Sequence, residues 1–110
     1  MNGAEVRLRD ILIHARRVKS FCSDVSRAEF LDDERTHQAV LYSLLVIGEA
    51  ANRLPDEIRV GVTGVPWEQV VGFRNVAVHE YFRVNLTRVW QIAQTEIPDL
   101  IRAIEDYKNE

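Results

Sequence analysis

The stretch from Asp33 to Leu54 constrains the fold most. It carries Ala39, Val40, Leu41, Leu44, Leu45, Val46, Ile47, Ala50, Ala51 and Leu54. At about 100° per residue these positions cover more than one stripe, so a helix here must be buried on several sides. Asp32 or Asp33 suits its start, where a carboxylate meets orphan backbone N–H groups and the positive end of the helix dipole. Pro55 stops it, because proline has no donor and clashes with the preceding turn. Gly48, among large residues, leaves room for a neighbouring helix despite a propensity cost of ~1 kcal/mol. At 110 residues the chain makes one domain, residues 1–110, with a real core. So apolar a helix in so small a domain implies that a second copy covers part of it.

The rest of the chain reads the same way. Leu8, Ile11, Leu12, Ala15, Val18 and Cys22 recur at helical spacing from about Ala4 to Cys22. His14 falls outside that stripe and reads as a surface residue. Ser23 to Leu31 is a polar connection, with Phe30 and Leu31 tucked onto the core. Gly61 to Pro66 is a loop whose two glycines fit neither phosphate-binding spacing. Pro66 and Trp67 open a third helix, with Val70, Val71, Phe73, Ala77 and Val78 facing inward. Asn85 caps the last helix. Its stripe is Leu86, Val89, Trp90, Ala93, Ile97, Leu100, Ile101 and Ile104, with a kink or short break expected at Pro98. The expected fold is all-α, an up-and-down bundle of four to five helices, assembled as a homodimer.

Composition narrows the function. Hydrophobic residues at 46% and charged residues at 28% are those of a globular protein. A single cysteine, Cys22, excludes an internal disulfide and a cysteine-based zinc site. No signal peptide is recognisable, and Glu49 interrupts the longest apolar region well short of a membrane span. A cytoplasmic chain is expected. The net charge of −3 argues against a passive nucleic-acid coat protein but not against an enzyme with a local basic cleft. Arg7, Arg9, Arg16, Arg17 and Lys19 cluster early, and Glu96, Asp99, Glu105, Asp106 and Glu110 collect late. These are two solvated faces, or else Arg16, Arg17 or Lys19 borders the cleft and holds phosphates.

Chemistry concentrates in Phe73-Arg74-Asn75-Val76-Ala77-Val78-His79-Glu80-Tyr81-Phe82. Arg offers a planar fork of donors that fits phosphate oxygens. His exchanges a proton near neutral pH. Five residues separate Arg74 from His79, which sets them about 140° apart on one helical wheel. They converge if the helix ends near His79, or if two copies of the chain each supply an Arg and a His; the second arrangement is the expected one. Attack of an RNA 2′-hydroxyl on the adjacent phosphate needs a base, an acid for the leaving 5′ oxygen, and a cation on the phosphate. Two copies of Arg74 and His79 across a two-fold axis supply all three without a metal or other cofactor. An Arg and a His near a helix end also occur as ordinary surface residues, the His capping carbonyls. Glu49 is an acid in apolar surroundings. It either pairs with Arg53, four residues on, or orients Arg74 or His79.

The segment resembles the R-x4-H-x-Y signature of HepT-like proteins, a branch of the HEPN group of helical ribonucleases. Leu45-Val46-Ile47-Gly48-Glu49-Ala50-Ala51 with Arg53-Leu54-Pro55 is similar to that family's IGEAAxRLP helix. Pro66-Trp67, Val71-Gly72-Phe73-Arg74-Asn75, Tyr81-Phe82, Val84-Asn85, Val89-Trp90 and Ile97-Pro98 continue the likeness from about residue 5 to residue 105. The resemblance implies an all-helical homodimer and a metal-independent endoribonuclease toxin. Arg74 and His79 would be catalytic, with Asn75 and Glu49 in support. It also implies a partner nucleotidyltransferase antitoxin that adds AMP to Tyr81 and silences the toxin. Asn85 stands where the family often has Asp. Two other readings are a nucleotide- or partner-binding subunit of a nucleotidyltransferase complex that cuts nothing, and a purely structural dimer.

Overall fold

The computed structural model describes residues 2–83 and 85–109, with side chains described for residues 2–78 and 85–109. Among these residues every regular element is helical. They are α1 (Gly3–Phe21), α2 (Arg27–Asp32), α3 (Glu34–Asn52), α4 (Asp56–Gly61), α5 (Trp67–Arg83), α6 (Leu86–Gln91), a π-helical segment (Ile92–Glu96) and α7 (Ile97–Lys108). The last three run on without a gap, so the bundle has four long rods. The short helices α2 and α4 join them, and the all-α expectation holds.

Local chemistry sets the boundaries. Asn2 accepts a hydrogen bond from the Glu5 N–H at 2.8 Å, with Glu5 reaching back, and Ser26 and Glu29 do the same for α2. Asp33 caps α3 by accepting from the Thr36 N–H. Such caps contribute ~1 kcal/mol each. Asn85 occupies the N-cap position of α6, but its side chain makes no cap hydrogen bond. The connection between α1 and α3 is not wholly irregular, since α2 lies within it and places Phe30 fully in the core. The Phe30 ring meets Trp90 and His37, each at 5.1 Å between centroids, and His37 Nε2–H donates to the Phe30 carbonyl.

The core is the sum of the apolar stripes. Leu8, Ile11, Ala15 and Val18 of α1 meet Val40, Leu44 and Ile47 of α3, and Ile97, Leu100 and Ile104 of α7 close the other side. Pro98 causes no break. The backbone widens ahead of it into the π-helical segment, where the Ile97 N–H reaches the Ile92 carbonyl. Proline's ring would clash with the carbonyl four residues earlier, and a wider turn is one way to relieve that clash.

Two features of the α3–α5 packing position the site. Arg59 of α4 donates from Nη2 to the carbonyls of Ala51 (2.8 Å) and Asn52 (3.1 Å), closing the C-terminus of α3. Trp67 Nε1 donates to the Arg59 carbonyl at 2.9 Å, which pins the start of α5 to the same clamp. The second feature is Gly48. A Cβ there would stand 2.6 Å from the Arg74 backbone nitrogen, 2.9 Å from the Arg74 Cβ and 3.0 Å from the Val71 carbonyl oxygen. The close approach expected of Gly48 is therefore real, and its partner is the turn of α5 that carries Arg74.

Candidate active site

Arg74 leaves α5 directly over this seam. Its Nε meets Glu49 Oε1 at 2.7 Å, with the two side chains 58% and 37% exposed. Glu49 thus pairs across helices with Arg74, not along its own helix with Arg53. An ion pair this open contributes only ~0–1 kcal/mol to stability, so its main consequence is orientation. Because the contact uses Nε, it does not consume the two terminal nitrogens, the edge that can fork an oxyanion. Asn75, next along α5, is exposed.

His79 and Tyr81 lie on the backbone of α5, and their side chains are outside the described residues. The helix does not end near His79, as one of the two arrangements required; it runs on to Arg83. The five-residue offset between Arg74 and His79 therefore sits on one continuous helix. Val78 is a second correction. It is 47% exposed, not inward, because it stands one turn beyond Arg74 on the same outward side of α5.

The outward side of α3 continues this surface. Leu45 and Val46 are only partly buried, and Tyr42 is 62% exposed. Beside Tyr42, α1 contributes His14, which is not the surface residue its place off the apolar stripe suggested. It is half-buried, its Nδ1 lies 3.1 Å from Ser43 Oγ, and its ring meets Tyr42 edge-on at 5.8 Å. Burial lowers the His14 pKa, the Arg17 charge lowers it further, and Asp10 opposes both. Ser43, 1% exposed, is the hydrogen-bond partner that holds the ring in this position. The signal for it was a serine on the buried arc of an otherwise apolar helix.

One member of the early basic cluster is committed elsewhere. Arg16 is turned to α7, where it meets Glu105 at 2.7 Å. Cys22 is buried, which pushes its thiol up to about 11 and leaves it unreactive. No described helix is long and apolar enough to cross a membrane.

Comparison with known proteins decides the family. A family model described as Ribonuclease HepT-like matches residues 11–107. The chain belongs to the HepT-like ribonuclease family. A Methanocaldococcus jannaschii protein named "Putative RNase MJ0127" is 36% identical over 99 residues, spanning 90% of this chain and 82% of that one. A second RNase-named protein of the same organism is 33% identical over 98 residues, 89% of this chain and 90% of its own length. The "Probable ribonuclease HepT" of Thermococcus cleftensis is 29% identical over 93 residues, 84% of each. No solved structure matches this chain. By family, then, this HepT-like protein is an endoribonuclease.

Proposed function

We propose that this HepT-like protein is a metal-independent endoribonuclease that works as a homodimer and serves as the toxin of a toxin–antitoxin pair in the cytoplasm. One observation carries the reading. The Arg of the R-x4-H-x-Y signature is oriented by Glu49 and set against Gly48, on a face that is open and partly apolar. Arg74 binds the scissile phosphate and offsets the charge that develops on it. One His79 takes the proton of the 2′-hydroxyl. The 2′ oxygen bonds to phosphorus, the bond to the 5′ oxygen breaks, and the second copy's His79 protonates that oxygen. The products are a 2′,3′-cyclic phosphate and a free 5′-hydroxyl. Positioned acid and base groups are worth ~10²–10⁴ in rate.

A second copy seated on the exposed Val78 and the partly buried Leu45 brings two motifs to one cleft. The antitoxin is a nucleotidyltransferase, and AMP on Tyr81 adds bulk and negative charge beside the phosphate-binding Arg74, repelling RNA. Expression of the wild type arrests growth and that of His79→Ala does not. If wild-type protein, shown by mass to be unmodified at Tyr81, bound nucleotide tightly and cut no RNA, the chain would be a binding subunit instead.

A further inference from the structure

Tyr42 is left over by this account. The residue is 62% exposed in the middle of α3 and adds little to the core. It is nevertheless braced. His14 meets it edge-on, with centroids 5.8 Å apart and ring planes at 63°, and His14 is itself held by the buried Ser43 hydroxyl at 3.1 Å. A largely exposed ring braced by one neighbour is a platform. Arg17, exposed and one turn past His14 on α1, is a cation whose charge reaches His14, with Asp10 the acid that opposes it there. Seven residues separate Tyr42 from Glu49, so the two share a side of α3 about 10 Å apart along its axis. Each of the two helices packed on α3 thus carries an exposed arginine, Arg17 on α1 and Arg74 on α5.

Single-stranded nucleic acid is the ligand that matches an exposed ring with cations on the neighbouring helices. Bases stack on aromatic faces, and the charged backbone follows the arginines. We propose that Tyr42 stacks a nucleobase flanking the scissile bond of the RNA, with His14 holding the ring and Arg17 meeting a neighbouring phosphate. This rests on the ribonuclease reading above. Tyr42 meets α1 through His14, and a second copy seated on Val78 of α5 would leave the ring at the mouth of the shared cleft. Stacking tolerates any base, so the platform adds affinity and sets no strong sequence preference.

The test compares wild type, Tyr42→Ala and Tyr42→Phe on a short oligoribonucleotide, and for binding of its uncleavable 2′-deoxy analogue. Tyr42→Ala raises KM and weakens analogue binding about tenfold, with kcat little changed, and Tyr42→Phe restores both. In the wild type, an abasic site at the flanking position causes the same loss; in Tyr42→Ala it adds none. Unchanged KM and unchanged analogue binding in Tyr42→Ala would overturn the platform. So would a loss that tracks conversion of dimer to monomer by sedimentation, which would assign the ring to a protein interface. If wild-type protein cuts no RNA, the ribonuclease reading fails, while a tenfold loss of analogue binding in Tyr42→Ala still supports the platform.

Discussion

The rods α5 and α7 lie in one bundle and do opposite work. On α7 the apolar stripe of Ile97, Leu100, Ile101 and Ile104 is wholly buried, and charges on this rod make ion pairs, Glu105 with Arg16 and Asp99 with Arg102. On α5 only Val70, Phe73 and Ala77 are fully buried among the described side chains, while Arg74, Asn75 and Val78 are exposed. The first rod is built for packing. The second leaves one face exposed, the face to which the proposed function assigns the substrate, and a glycine contact and the Arg59 clamp help hold it in place. Damage to α7 should therefore appear as lost stability, and damage to the outward side of α5 as lost chemistry.

The largest separation is expected at Arg74. Arg74→Ala should lower RNA cleavage by about 10³-fold, with a melting temperature close to wild type because its ion pair is exposed. Ile104→Ala should do the reverse, lowering stability by ~2–5 kcal/mol in urea titration while the folded fraction keeps its activity. Gly48→Ala should do both, because its Cβ meets the backbone of Arg74; overpacking of this kind costs ~1–3 kcal/mol. The matched control is Gly72→Ala on α5, where a Cβ meets nothing within 4 Å, and a gain of ~0.5–1 kcal/mol is expected. Glu49→Gln should sharpen the contrast, cutting cleavage about 10- to 100-fold through a misplaced guanidinium with stability almost unmoved.

The smallest effect is one of pH. The His14 pKa is lowered in the folded state, so the unfolded chain binds its proton more readily. Stability from this group is fully present above about pH 6.5 and is lost as pH falls toward the folded value. Wild-type melting should therefore drop on mild acidification more than that of His14→Gln.

Much of the fold was legible in sequence. Pro55 ends its helix within a few residues, and every residue of the last apolar stripe except Trp90, which is partly buried, is fully buried. The short helices α2 and α4 were not legible, because six residues are too few to show a period. The capping box of Ser26 and Glu29 was the available sign of the first. Val78 was misplaced because its apolar side chain says nothing of which side of α5 it occupies. The partners of Glu49 and His14 are tertiary, on a different helix in each case, and only the fold distinguishes Arg74 from the nearer Arg53. Gly48 was read correctly as a point of close approach, since only a helix with a missing side chain admits another backbone so near.

The central claim is that Arg74, seated on Gly48 and turned by Glu49, serves RNA cleavage. Its most direct test incubates purified wild-type and Arg74→Ala proteins with RNA in the presence of a strong chelator. The wild type alone should cut, leaving 2′,3′-cyclic phosphate ends, with both proteins equally folded. Equal cutting by the two, or no cutting by wild-type protein that carries no AMP on Tyr81, would contradict that claim.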